Sequence, residues 1–316
     1  MSVFIVAEMS CNHGGDLQTA YGIIDAAAEA GADAVKISLD NPNGGITIDC
    51  RNKYFRVKSG PWKGEYLYDL YKRTYTPWRW VPKLKQHADR RGIELFSTVS
   101  CANGVAFCEY HGLPRYKVSS FEACDIPLLR AIKETGKPVI VSCGADWVDA
   151  WDELYRYDAS FLYCVSKYPA SFDDFDLEIA ASGFDGISDH SLGWEIAFAA
   201  VARGARIVEK HLTIDHTNGS ADADFSIGPV EFEMMVDGIR GIERAMMPKV
   251  SKPIDRSLCK SIFAVKDIKK GERFTDNNIG VIRPGYGLPP KEYWRVLQCV
   301  ARCDIKRGTP IKEAML

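Results

Sequence analysis

Two histidines carry the strongest chemical signal in the chain. They fall within residues 186–215, GISDHSLGWEIAFAAVARGARIVEKHLTID, which reads as strand, helix, strand. The first strand ends in Ser188-Asp189-His190 and the second in Glu209-Lys210-His211, with Thr213 and Asp215 just beyond. The helix between them, roughly residues 192–203, is apolar on one face through Ile196, Ala199, Ala200 and Val201. Parallel strands joined by one crossover helix set their C-terminal ends side by side. His190 and His211 should therefore face each other at one rim. Two neutral imidazoles placed so can hold a divalent metal ion and leave coordination positions open for substrate and water. Either histidine alone reads as an ordinary polar strand end; the two together favour metal.

Two lysines make a second constellation. Lys36 in AVKIS and Lys117 in YKVSS end apolar strands, so both should point into the same mouth. A lysine is rarely buried without an anionic partner. One such lysine would be a structural ion pair, with Glu8 as partner. Two, with Ser120 and Ser142 close by, make a cradle for phosphate or carboxylate. Schiff-base chemistry at either lysine is open in principle, but the histidine pair argues for a metal-assisted aldol-type reaction. Asp189, beside His190, stands at the same rim. Strand ends in chain order thus supply Glu8, Lys36, Thr98, Lys117 with Ser120, Ser142, Ser166 with Tyr168, His190 and His211. The set reads as a mouth that binds an anionic phosphate while a metal polarises the carbonyl of a second substrate.

These side chains need a frame that brings eight strand ends to one rim. Strand candidates are residues 3–7, 34–38, 93–98, 115–119, 138–142, 161–165, 186–188 and 206–213, each followed by a helical stretch. The clearest helices are residues 17–30, stopped at Gly31, and 125–135, followed by Gly136 and Pro138. Eight β-α units predict an α/β fold of the (β/α)8 TIM-barrel type. An open doubly wound sheet would require a glycine-rich loop after the first strand, and Ala7-Glu8-Met9-Ser10 is not one. Residues 41–63 form a long Gly- and aromatic-bearing insertion after the second strand, placed to shape access to the rim.

The barrel should end near residue 246. Residues 247–256, with Pro248 and Pro253, read as a linker, and 257–316 as a small β-rich module. That module contains an echo: AVKDIKKG from Ala264 matches ARCDIKRG from Ala301, with RPGYG and its Arg283 between the copies. Composition narrows the function further. With 316 residues and a formal net charge of −2, there is no nucleic-acid footprint. No segment is apolar and long enough to span a bilayer, and MSVFIVAEMS lacks the pattern of a signal peptide. The 10 scattered cysteines, without CxxC spacing, predict reduced thiols in a cytoplasmic protein.

These motifs resemble the sialic acid synthases: AEMSCNHGGDL, GADAVKIS, FST, YKVSS, the SDH and EKH signatures, and RPGYG in a C-terminal antifreeze-like (SAF) domain. Within that family the chain is most similar to pseudaminic acid synthases, through ITIDCRNKYFRV, PWKGEYLYDLYKRTYTPWRW, YKVSSFEACDIPLLR and DADFS. The resemblance implies condensation of phosphoenolpyruvate with an open-chain amino-sugar aldehyde. It implies His190 and His211 as ligands of manganese or magnesium, and Lys36, Lys117, Ser120 and Ser142 around phosphoenolpyruvate. It places Glu8 by the reacting carbons, Ser166 and Tyr168 on the sugar side, and Arg283 reaching the other subunit of a domain-swapped homodimer. The chain departs from the family at Ser38, where a Gln is usual, at Val99-Ser100-Cys101 and at Ser142-Cys143-Gly144. These changes fall at the rim, where they would alter sugar preference or weaken catalysis. Helices around residues 147–157 and 173–182 look short. A legionaminate or N-acetylneuraminate synthase, and a non-catalytic sugar-binding barrel, are the alternatives.

Overall fold

The computed structural model describes residues 2–144, 159–248 and 253–316. The chain divides into two compact units, Met1–Met247 and Pro248–Leu316. The first is a closed parallel barrel of eight strands: β1 (Phe4–Ser10), β2 (Ala34–Ser38), β3 (Glu94–Thr98), β4 (Tyr116–Val118), β5 (Val139–Cys143), β6 (Ala159–Cys164), β7 (Gly186–Asp189) and β8 (Ile207–His211). All eight expected strands are present. β1 runs three residues further than the sequence indicated, because Glu8 is held in register with Lys36 on one side and His211 on the other. The expected short helix at 147–157 lies outside the described residues. The other, at 173–182, is a 3-10 turn at Phe172–Asp174 followed by a short helix at Leu177–Gly183.

Period-two alternation sorts each strand into two faces. Outward residues such as Ile5, Val35, Ile37, Leu95, Val141 and Val208 join the helices in one large apolar core. Inward residues Val6, Ala34, Phe96, Ile140, Leu162 and Ile207 form a separate apolar layer inside the barrel. This inner layer floors the barrel, so the next inward residues towards the C-terminal ends sit above apolar material and away from bulk water. β7 contributes Gly186 because there is no space for a side chain. A Cβ there would lie 2.0 Å from the carbonyl oxygen of Ile207 on β8.

The helices form where capping and periodicity agree. Helix α1 (Leu17–Glu29) starts at Asp16, whose carboxylate accepts the Thr19 N–H at 2.8 Å, and buries Ala20, Ile23, Ile24 and Ala27. α2 (Leu67–Thr74), α3 (Val81–Arg91) and α4 (Ala102–Tyr110) follow. α5 (Ile126–Thr135) is capped by Asp125 and stopped by Gly136 in the left-handed region. α6 is the Leu177–Gly183 helix. α7 (Glu195–Ala202) begins three residues later than expected. The chain stays extended through Ser191, which bridges Ala170 and is tied to the Asp189 carboxylate by both its N–H and its hydroxyl. The buried face of α7 is Ile196, Ala197, Ala200 and Val201, so Ala197 takes the place expected for Ala199. α8 (Pro229–Met246) closes the barrel unit.

The second unit has its own core, built from Ile262, Ala264, Ile268, Phe274, Ile279, Val296, Ala301, Ile305, Ile311 and Leu316. β9 (Ser261–Ala264) pairs antiparallel with β10 (Ile279–Ile282). The sequence echo is visible as a pseudo-two-fold. Ile268 and Ile305 exchange reciprocal N–H···O bonds of 2.8 Å. Asp267 accepts the Arg307 N–H and Asp304 the Lys270 N–H, each at 2.8 Å. All 10 cysteines are free thiols. No described helix is long and apolar enough to cross a membrane.

Candidate active site

The C-terminal ends of the strands open into one cleft, lined by Glu8, Lys36, Ser38, Thr98, Lys117, Ser120, Ser142, Tyr168, His190 and His211. Ten expected residues from all eight strands and their following loops therefore meet in a single space. Ser166 is adjacent, its hydroxyl 2.7 Å from that of Ser120. That contact depends on Gly144, where a Cβ would come within 2.7 Å of Ser166 Oγ.

At the bottom of the cleft lies a buried charge network. Lys36 forms an ion pair with Glu8, donates to Thr98 Oγ1 at 2.9 Å and lies 3.8 Å from Glu209. Lys117 donates to Ser142 Oγ at 2.6 Å and to its neighbour Val118 O at 3.0 Å, and lies 3.9 Å from Glu209. Ser188 Oγ–H donates to Glu209 at 2.8 Å. Glu209 thus serves both lysines. Its carboxyl would be raised by burial, but Lys117 and Lys36 outweigh that and hold it below the ordinary value. The Glu8 carboxyl is raised to about 7, by burial first and by Glu209 as well, against the pull of Lys36. Burial pulls the Lys117 ammonium down, and its value stays below the ordinary one despite Glu209. Burial acts on Lys36 in the same sense, but Glu209 and Glu8 reverse it and raise its value. The ion pair of Lys36 with Glu8, expected as the purely structural reading of a lone lysine, is present; it stands inside the cleft rather than apart from it.

His190 and His211 face each other with ring centroids 5.4 Å apart. Tyr168 packs on His190 at 4.4 Å, and Phe225 sits against both Tyr168 and His211. His190 Nδ1–H donates to the Val165 carbonyl at 2.9 Å; burial would lower this ring's value, but the neighbouring Cys164 and that carbonyl outweigh it and leave the value raised. His211 Nδ1 is buried and meets no hydrogen-bond partner on the described residues; the Asp222 carboxylate is 3.8 Å away. Burial and the neighbouring His190 push His211 well below its ordinary value, so it is a neutral, lone-pair-bearing ring. Two facing imidazoles, one of them neutral with an orphaned nitrogen, fit a divalent metal ion, which binds such rings in their deprotonated form. Among the described residues no group of three or more His, Cys, Asp and Glu is arranged around one metal position. Two nitrogens are what the protein offers, and substrate and water oxygens would complete the shell.

One expected residue of the barrel, Asp189, does not join the cleft. Asp189 points the other way: β7 turns its side chain outward, where its carboxylate accepts from Lys210 at 2.9 Å and from Ser191, both charged side chains being fully buried. Its place in the SDH triplet next to His190 misled, because adjacent strand residues face opposite sides. Arg283 belongs to the second unit, where its Nε–H donates to Leu258 O at 2.6 Å.

Four acidic residues of the cleft escaped the sequence reading: Asp40, Glu122, Glu209 and Asp222. Glu209 was legible, since period two from His211 points it inward. Glu122 lies in the turn after β4, bonded by Ser119 Oγ–H, and burial with Asp40 nearby raises its carboxyl to about 7. Asp40 accepts from Ser38 Oγ–H at 2.5 Å. These lie on loops, where no periodicity marks a side chain's direction.

Residues 23–251 match the NeuB family and residues 260–316 the SAF domain. The chain is 37% identical to the pseudaminic acid synthase of Campylobacter jejuni, with 98% of this chain and 96% of that protein covered. It is 31% identical to the N,N'-diacetyllegionaminic acid synthase of the same organism, with 98% of each covered. Among solved structures it is similar to the spore coat polysaccharide biosynthesis protein SpsE of Bacillus subtilis, at 30% identity and a TM-score of 0.64, over 98% of this chain and 94% of that one. The chain belongs to the NeuB family, and like the synthases it matches it is an enzyme of nonulosonic acid synthesis.

Proposed function

We propose that the enzyme condenses phosphoenolpyruvate with open-chain 2,4-diacetamido-2,4,6-trideoxy-altrose and water, giving pseudaminic acid and phosphate. The observation that carries this reading is the convergence of Lys36, Lys117, Thr98, Ser142 and the histidine pair on one cleft. The higher identity to a pseudaminic acid synthase than to a legionaminic one supports the choice of sugar.

Lys36 and Lys117, with the hydroxyls of Thr98 and Ser142, bind the phosphate and carboxylate of phosphoenolpyruvate, offsetting charge in a poorly hydrated site. A divalent ion, manganese or magnesium, held by His190 and His211 would supply a Lewis acid for the aldehyde. The enol π pair forms the bond from the CH2 carbon of phosphoenolpyruvate to the aldehyde carbon, and the aldehyde C=O π pair moves onto its oxygen as an alkoxide. Water then adds to the phosphate-bearing carbon, giving one proton to Glu8, whose carboxyl near 7 can hold it and pass it to the alkoxide. The tetrahedral adduct breaks its bond to the phosphate oxygen as its hydroxyl becomes the ketone, and phosphate leaves with that hydroxyl's proton. Tyr168 and Ser166 line the sugar side. The protein acts as a homodimer in which Arg283 of each chain completes the site of the other.

The test is phosphate release from phosphoenolpyruvate with manganese, comparing the altrose derivative, its legionaminic-type epimer and N-acetylmannosamine. Release with the altrose sugar alone, abolished by chelation and in His211→Ala, is expected. Release with another sugar moves the substrate and keeps the chemistry. No release from a folded, metal-loaded dimer would leave a sugar-binding barrel.

A further inference from the structure

The insertion between β2 and α2 closes into a small hairpin. Val57 N–H donates to Glu65 O and Gly64 N–H to Val57 O, both at 2.9 Å, and Arg56 bridges Tyr66 across the ladder. Arg56 Nε–H donates to Gly64 O at 2.7 Å, and Arg73 on α2 clasps Glu65 through bonds of 2.7 and 3.1 Å. Trp62 sits at the tip, between Gly60 and Gly64, both of which take left-handed φ (77° and 96°). Its ring packs against Tyr168 at 5.5 Å and lines the cleft. Its indole Nε1 is buried yet meets no acceptor on the described residues. An indole N–H can only donate, and a buried donor left without a partner is costly. A braced hairpin that presents such a donor to the cleft is arranged for an acceptor arriving with the substrate.

We propose that Trp62 Nε1–H donates to the carbonyl oxygen of the acylamino group at C4 of the sugar, and so selects a 4-acylamino substrate. This rests on the function proposed above. A carbonyl is a pure acceptor and complements a pure donor, whereas a hydroxyl would bring a proton needing its own partner. Position selects C4 over C2. The reacting aldehyde belongs at His190 and His211, and Tyr168 lies between His190 and Trp62, in ring contact with both. The C2 substituent is bonded next to the reacting carbon and stays within the span of Tyr168. The C4 substituent, two carbons further on, reaches Trp62. Ile46 and Leu70 line the same cleft and offer apolar surface to an acyl methyl.

The experiment compares wild type and Trp62→Phe on the diacetamido sugar and on its 4-deoxy analogue, which lacks the C4 acylamino group. Trp62→Phe keeps an aromatic ring against Tyr168 and removes the donor along with part of the ring, a packing loss that both sugars share. The expected result is a loss of roughly tenfold in kcat/KM on the diacetamido sugar, carried by KM, the size of one hydrogen bond. The loss on the analogue should stay below about twofold, with KM for phosphoenolpyruvate unchanged. Trp62→His, which retains a ring N–H, should recover part of the loss on the diacetamido sugar alone, and reads the same difference should the Phe variant fold poorly. Equal losses on both sugars, or a matching change in KM for phosphoenolpyruvate, would overturn the proposal and leave Trp62 as packing. Wild type that turns over neither sugar would sink the functional reading, and this proposal with it.

Discussion

Glu209 stands between two lysines that would otherwise repel each other, and this sets the chemistry of the cleft. With Glu209 ionised, the second carboxylate, Glu8, is freed to sit near neutrality. Replacing Lys117 by Met should lower kcat/KM for phosphoenolpyruvate by about 10²–10³ with little change in the sugar KM, as expected when one charge-stabilising group is lost; steady-state kinetics at fixed sugar would show it. Asp189 is structural, paired with Lys210 outside the cleft. Asp189→Ala should therefore destabilise the barrel by about 3–5 kcal/mol, because Lys210 is left charged and unpaired in the interior. Denaturant titration measures that cost, and an unchanged sugar KM in the folded fraction separates it from a role in binding. Glu122 gives a pH signature. Its carboxyl is near 7 in the folded chain against 4.5 for an exposed one. Below pH 4.5 both states hold the proton. Between 4.5 and 7 the unfolded chain releases it while the folded chain keeps it, so stability falls as pH rises, and above 7 the loss is complete. Glu122→Gln should thus match wild type in Tm at pH 4.5 and exceed it at pH 8. A Tm difference independent of pH would refute this.

At the scale of elements, the site is a consequence of alternation along short strands. Five of the eight strands spend the lower inward position on the apolar floor and the upper one on a polar group: Val6 then Glu8, Ala34 then Lys36, Phe96 then Thr98, Ile140 then Ser142, Ile207 then Glu209. A register slip of one residue would send every one of these groups into the helix layer. The closeness of β7 and β8 enforces the register, and Gly186 permits it. Gly186→Ala places a methyl 2.0 Å from the Ile207 carbonyl, and the strands can separate only by breaking their ladder. The expected outcome is a loss above about 4 kcal/mol, seen as insoluble protein or a collapsed Tm. Gly144→Ala meets only a movable Ser166 hydroxyl, so it should fold and instead disturb sugar binding.

At the scale of the whole molecule, each unit carries its own apolar core, and the proposed dimer makes the second unit a donor of Arg283 to the other chain. That arrangement has a clear signature. Arg283→Ala and His211→Ala homodimers should each be nearly inactive. Unfolding and refolding them as a mixture creates hybrids in which one barrel keeps His211 and receives an intact Arg283. Random pairing should then restore about a quarter of wild-type activity, since half the dimers are hybrid and each has one complete site. Persistent inactivity of a mixture shown to contain hybrids would place Arg283 in its own chain's site or outside any site.

The amino-acid sequence alone determined the strand and helix order, the barrel, the echo in the second unit and the rim positions of Glu8, Lys36, Lys117, His190 and His211. Those properties follow from local periodicity and from the rule that parallel strands end together, so they can be read along the chain. Only the tertiary structure decided that Glu209 serves both lysines, that Asp189 turns away to Lys210, and that Glu122, Asp40, Asp222 and Trp62 enter the cleft. Each of those depends on which loop folds over which strand end, and on what lies across the barrel. Contacts made by loop side chains, whose direction no periodicity fixes, leave no trace in composition or spacing.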